Sequence, residues 1–259
     1  MILSASSIST YNECHLQWYF TYVERRPAES EAMDLGQEVH DYAEAILREG
    51  VPITKGGPCG ICEMVPHSPQ CQNRDDEAAR LVDVFIDEIY PTYREPVLVE
   101  AAFELDVEGV TYTGFIDSVD VEDFPGFDAL EMVPYPMSTK VRDLKTSKSR
   151  PRPDKYRDPL IGYYLGAREL GYPADELQLD YIVKTKKPYY WPEVQPVPDD
   201  DEIDVWAGQV ARVAASIEMA DWEPTGVGTW HCSTCPHKDI CGPYDRWLEM
   251  TSPIRKEAR

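Results

Sequence analysis

The stretch Lys140-Val141-Arg142-Asp143-Leu144-Lys145-Thr146 sets a carboxylate and an ammonium two residues apart. It reads as a short strand, and strand side chains alternate with period two, so Asp143 and Lys145 point to one face. That pairing suits phosphodiester hydrolysis. The carboxylate can hold a divalent metal, and the lysine can orient an attacking water or neutralise charge building on the phosphate. An Asp-x-Lys triplet also arises as a solvated surface ion pair, so its meaning depends on partners elsewhere in the chain.

Charge points the same way locally and the opposite way globally. Residues 140–157 carry eight basic side chains (Lys140, Arg142, Lys145, Lys148, Arg150, Arg152, Lys155, Arg157) against Asp143 and Asp154, a net +6. The whole chain carries −22, so the rest of it carries −28. An acidic protein is not an indiscriminate DNA coat, because phosphates are repelled overall. A positive strip beginning at Asp143 is what guiding a polyanion along one groove needs; the alternative is a solvated basic loop. At 259 residues the chain can bury a substantial core. It has neither a signal-peptide pattern nor an apolar run of membrane-spanning length, so a soluble cytoplasmic protein with no membrane partner is expected.

The elements that must position Asp143 and Lys145 follow from periodicity. Ser7 to Val23 reads as an aromatic-rich helix, with Thr10 and Glu13 in capping-box spacing. A second helix runs from Met33 to Glu49 and carries His40; a third runs from Asp75 to Tyr90. Val97–Val107 and Val110–Val121 alternate and join at Glu108-Gly109, as a hairpin does. The second of these strands holds Gly114-Phe115-Ile116-Asp117, a carboxylate inside an apolar strand that needs a partner, a metal being one candidate. After the Asp143 strand come a helix from Asp158 to Leu170 capped by Gly171, a strand from Leu177 to Lys184 and a helix from Ile203 to Ala220. This order predicts an α/β sandwich built round a mixed sheet.

Seven cysteines, an odd number and mostly clustered, fit metal binding in a reducing compartment better than a disulfide framework. Cys232, Cys235 and Cys241 give C-x2-C-x5-C, and a tetrahedral set needs a fourth ligand, for which His231, His237 and Cys14 are candidates. Zinc on three cysteines and a histidine is the other reading of this run.

These landmarks together resemble the PD-(D/E)XK nuclease superfamily, in its RecB-like iron–sulfur branch. That branch includes the fourth CRISPR-associated protein family, phage-encoded relatives and AddB-type nucleases. The resemblance rests on Cys14-His15-Leu16-Gln17-Trp18-Tyr19-Phe20, Gly36-x3-His40, Gly114-x2-Asp117, Asp143-Leu144-Lys145-Thr146 and the C-terminal cysteines, in the family's order. It implies a restriction-endonuclease-like core with a mixed central sheet flanked by helices, as a single nuclease domain over 1–259 with its catalytic core at 97–200. His40, Asp117, Asp143 and the Leu144 carbonyl become metal ligands, Lys145 the catalytic lysine, and Tyr163 a site residue on the following helix. An imidazole ligand tilts the metal from Mg²⁺ toward Mn²⁺. Cys14, Cys232, Cys235 and Cys241 become ligands of a [4Fe–4S] cluster, a structural clasp joining 1–30 to 221–259. The family's glutamine four residues before the tyrosine is replaced here by Pro159.

The expected activity is metal-dependent DNA exonuclease action on ends or single strands, in recombination, repair, phage DNA metabolism or CRISPR-type processing, in a bacterial or phage-infected cell. Lys148, Arg150, Arg152, Lys155 and Arg157 would contact the DNA. The competing expectation is an iron–sulfur DNA-binding adaptor with a vestigial site. Residues 51–73 lie outside the resemblance. Their Cys59-x2-Cys62-x4-His67-x3-Cys71 predicts one Zn²⁺ in a knuckle-like insert too short to build its own core, against the alternative of a loop with free thiols.

Overall fold

A computed structural model describes residues 1–27, 31–49, 77–122, 138–150 and 152–247. The expected zinc ligands Cys59, Cys62, His67 and Cys71 lie outside the described residues. Along the chain run β1 (Ile2–Leu3), α1 (Ala5–Glu13), α2 (His15–Trp18), α3 (Glu31–Glu49), α4 (Glu77–Val84), β2 (Glu95–Val107) and β3 (Val110–Glu122). There follow β4 (Ser138–Ser147), α5 (Arg157–Glu169), β5 (Glu176–Val183), β6 (Tyr189–Pro196), α6 (Asp200–Glu218) and α7 (Trp230–Thr234). Two compact units are formed: Met1–Glu31 with Asp106–Tyr112 and Val205–Arg259, and Ala32–Leu105 with Thr113–Asp204.

The sheet is mixed, in the order β1-β3-β4-β5-β6 with β2 on β3. β3 runs antiparallel to β4, β4 parallel to β5, and β5 antiparallel to β6. The β2–β3 turn is closed by Glu108 at φ 53 and Gly109 at φ 79, the paired left-handed residues that a tight hairpin requires. Parallel strands need a crossover, and α5 supplies it between β4 and β5. Its stop is chemical. Gly171, at φ 93, lets its own N–H reach Arg168 O (3.1 Å) and the Tyr172 N–H reach Ala167 O (2.8 Å), satisfying the last carbonyls.

In the larger unit Val39 and Ile46 of α3, Leu81 of α4, Phe85, Ile89, Leu144 and Ile182 form a buried core, holding α3 and α4 against β4 and β5. On the same face of β4 as Leu144, Arg142 is almost wholly buried. It donates through Nε to Asp180 Oδ2 (2.8 Å) and through Nη2 to Thr92 Oγ1 (2.7 Å), and lies 3.7 Å from the centre of the Tyr93 ring. A buried guanidinium persists only when so paired. Arg142 therefore does not belong to a surface basic strip.

Four details differ from expectation. The first helix is not continuous: Cys14 is extended (φ −162, ψ 118) between α1 and α2, and α2 passes into a π-helical turn at Tyr19–Val23. The N-cap is Ser4, whose hydroxyl accepts from the Ser7 N–H, and not Thr10, whose hydroxyl donates to Ser6 O inside α1. The predicted third helix likewise gives way to a π-helical turn at Phe85–Ile89. β6 is not among the expected elements, and its Pro192 and Pro196 disfavour a central strand. It is the sheet's edge, where proline is tolerated.

The smaller unit gathers its aromatics. Trp18 stacks on Trp222 (5.4 Å between centres) and donates to Ser7 Oγ, while Tyr11 stacks on His15 and donates to Asp221 O. Trp206, Val210, Val213, Ala214 and Ile217 form the buried stripe of α6.

Candidate functional site

The sheet brings the sequence-predicted oxygen donors together. Asp117 lies on β3 next to Ser118, the register partner of Arg142, so by alternation Asp117 and Asp143 share a face. Asp117 Oδ2 accepts from the Leu144 N–H at 2.8 Å, which fixes the carboxylate beside β4. His40 arrives from α3. One turn earlier, the Cβ position of Gly36 lies 3.5 Å from Thr146 Oγ1, so the helix rests directly on the end of β4. His40 Nδ1 lies 3.5 Å from Asp117 Oδ2.

A third carboxylate joins them that sequence reasoning missed. Potential ligand atoms of His40, Glu100 and Asp117 all lie within 4.8 Å of one another. Glu100 sits in β2 at φ 47, a left-handed backbone that costs a non-glycine residue strain and interrupts the strand's alternation. Arg48, held by Glu44 of α3, donates to Val99 O (2.7 Å) and pins the strand one residue before. The available signal was an acidic residue inside the apolar run Val97–Phe103, the same signal that singled out Asp117.

Lys145 Nζ donates to Asp143 Oδ1 at 2.5 Å and approaches Leu144 O at 3.4 Å. Asp143 is 1% exposed, and its Oδ2 has no hydrogen-bond partner among the described residues. A buried carboxylate oxygen without a partner is costly, and a bound cation removes that cost. Electrostatics agree. Burial pushes the Asp143 carboxyl up, opposed by the Lys145 ammonium. Burial works against the Lys145 charge too, but Asp143 and Asp117 outweigh it and raise the ammonium. Burial lowers His40 against the pull of Asp117, leaving the neutral imidazole that metal ligation requires. Glu100 is pushed up to about 7 by burial, then by the charges of Asp117 and Glu44. Four acidic or basic groups perturbed in one place mark a site that has been prepared for charge.

Tyr163 of α5 meets Phe103 edge-on at 6.2 Å, and its phenol is near enough to favour the Lys145 ammonium. Phe103 itself fills space that two glycines leave open: a Cβ on Gly114 or Gly166 would come within 2.8 or 2.5 Å of its ring. The Gly114-x2-Asp117 spacing thus seats a ring at Gly114 and a carboxylate at Asp117. Of the other predicted contacts, Arg157 is forked onto both oxygens of Glu202 at 2.6 Å, and Lys140 pairs with Glu176. Lys148, Arg150, Arg152 and Lys155 are exposed.

In the smaller unit Cys14, Cys232, Cys235 and Cys241 line one pocket with Leu16, Phe20, Pro224 and Val227. Burial, and then repulsion from the other three thiols, pushes Cys235 up, as it does Cys241, whose neighbours include Cys14 and Cys232. The Gly228 N–H donates to Cys232 Sγ at 3.3 Å. Gly228 is at φ 85 with the Trp247 ring 2.2 Å from its Cβ position, so only glycine places that donor. His237 is buried, its Nε2 hydrogen-bonded to Thr21 Oγ1 at 3.0 Å, and His231 stacks on Trp230.

Among the described residues no helix is long and apolar enough to cross a membrane. No curated protein matches the chain. In fold it is similar to the crystal structure of a "putative exonuclease" from Eubacterium rectale, with a TM-score of 0.54 over 86% of this chain and 83% of that one, at 13% identity. The family model of the PD-(D/E)XK nuclease superfamily matches residues 2–242. With a mixed sheet carrying clustered carboxylates beside an Asp-x-Lys pair, and with the family model matched over nearly its whole length, the chain belongs to the PD-(D/E)XK nuclease superfamily.

Proposed function

We propose that this protein is a metal-dependent DNA exonuclease acting on ends or single strands, with a [4Fe–4S] cluster as a structural clasp. The observation that carries the reading is the convergence of His40, Glu100 and Asp117 within electrostatic reach of the Asp143–Lys145 pair. An imidazole, three carboxylates and the Leu144 carbonyl suit Mn²⁺ or Mg²⁺. When bound, the ion supplies Lewis-acid polarisation of the phosphate and a more acidic water. The protein's own contribution is positional. The Leu144 N–H holds Asp117, and Lys145 holds Asp143 while presenting its positive charge where negative charge builds on the phosphate. The retained Lys145–Asp143 contact favours the enzyme over a vestigial adaptor.

Four thiols in an apolar pocket also fit an iron–sulfur cluster. The same pocket would accept a tetrahedral zinc ion, and iron and zinc content of the purified protein distinguish the two. Zinc at Cys59, Cys62, His67 and Cys71 remains part of the proposal.

The test is anaerobically purified protein on end-labelled single- and double-stranded DNA with Mn²⁺ or Mg²⁺. Progressive shortening from an end is expected, with none in chelator. Cleavage by Asp143→Ala or Lys145→Ala at the wild-type rate would sink the reading.

A further inference from the structure

The sheet register extends the Lys145 face outward. Lys145 of β4 pairs with Tyr181 of β5, and Tyr181 with Trp191 of β6, so these three side chains form one row across adjacent strands. The next row is Ser147, Val183 and Tyr189. With strands about 4.8 Å apart, Trp191 stands about 10 Å from the Lys145 strand. Tyr181, between them, is fully buried, and its hydroxyl has no hydrogen-bond partner among the described residues. Trp191 is 36% exposed on the edge strand.

Arg150 follows β4 and folds back over this edge. Its guanidinium lies 3.6 Å from the centre of the Trp191 ring and 5.8 Å from that of Tyr189. Nearer the lysine, Tyr156 has the Lys145 ammonium 5.8 Å and the Lys155 ammonium 4.8 Å from its ring centre. Carboxylates are present too: Glu193 accepts from Gln195, Glu202 is neutralised by Arg157, and Asp154 is exposed. Against them stand the exposed Lys148, Arg150, Arg152 and Lys155, in a chain otherwise strongly acidic.

We propose that Trp191, backed by Arg150 and flanked by Tyr189, is a base-stacking platform for an unpaired nucleic-acid strand, set in register with Lys145. It rests on the nuclease reading for the direction of the strand, and deepens it by naming what holds the strand. An aromatic face offers stacking to any base, the guanidinium adds a planar cation, and the basic residues track the phosphates. A duplex keeps its bases stacked on each other and gains nothing from the platform. Preference for unpaired strands then originates at β6.

The experiment is equilibrium binding in chelator, without cleavage, of a fluorescent single-stranded thymidine oligonucleotide, its abasic counterpart and a duplex. Trp191→Ala should weaken thymidine-strand binding about tenfold, a typical loss for one base–aromatic stack. It should leave duplex and abasic binding unchanged, and Trp191→Phe should keep most of the affinity. Unchanged thymidine-strand affinity in Trp191→Ala, equal losses on base-bearing and abasic strands, or no nucleic-acid binding by the wild type would each overturn the platform. If Trp191→Ala does not fold, Tyr189→Ala carries the same abasic comparison. Cleavage assays with Mn²⁺ are read separately: an inactive wild type that still shows the abasic difference defeats the nuclease and leaves the platform.

Discussion

The oxygen-donor site and the sulfur-donor site are built by opposite means. Asp117 and Asp143 sit on neighbouring strands, and ladder hydrogen bonds set the positions of their backbones before any ion arrives. Three donor atoms already crowd within 4.8 Å. The four cysteines occupy a break between two helices, a five-residue helix and short turns, including left-handed Gly226 and Gly228. Such segments contribute little core of their own, so a group bound by the four thiols, as proposed, would also be what holds them. Pre-organisation suits a site that must pass substrates, whereas dependence on the bound group suits a permanent fastening.

The largest expected effect would separate the two outright. Lys145→Ala should lower the cleavage rate by about 10²- to 10³-fold, the usual cost of removing one charge-stabilising donor, while the iron content stays at wild type. Iron lost together with activity would break the comparison. In the other direction, Cys14→Ser should take iron from about four per chain to well below that and lower the melting temperature. Full iron in Cys14→Ser would return His231 or His237 to the ligand set.

Glu100→Gln should weaken divalent-ion affinity about 10- to 100-fold, the range seen when a metal site loses part of its support, as read by titration with Mn²⁺. Unaltered affinity would remove Glu100 from the site. Gly166→Ala should cost about 1–3 kcal/mol by overpacking against Phe103, measured by denaturant unfolding. The smallest effect is expected at His237→Ala: about 1 kcal/mol for the Thr21 hydrogen bond, with iron retained.

The hairpin, the crossover helix and the pair Asp143–Lys145 were legible because period-two and helical patterns are local. The Cys14 break was not. Its cause is a switch of one residue to extended backbone inside a run that favours helix throughout, and propensity is blind to that. Glu100 was hidden for a related reason: its left-handed backbone shifts the side chain out of the strand's alternation, so a pattern count cannot place it. Arg142 shows the limit of reading charge from composition. It lies between two residues that point the other way, Val141 and Asp143, and is spent inside the protein on Asp180 and Thr92. β6 required knowing which strand is the edge, and that is decided only when the sheet is assembled.

The ring of Phe103 fits between Gly114 of β3 and Gly166 of α5. Three positions from three elements therefore behave as one inherited character. A methyl group at either glycine position fits without overlap only where the residue at 103 is smaller. Lineages should cross from one arrangement to the other through the shrunken ring first, since the reverse order passes through a clash.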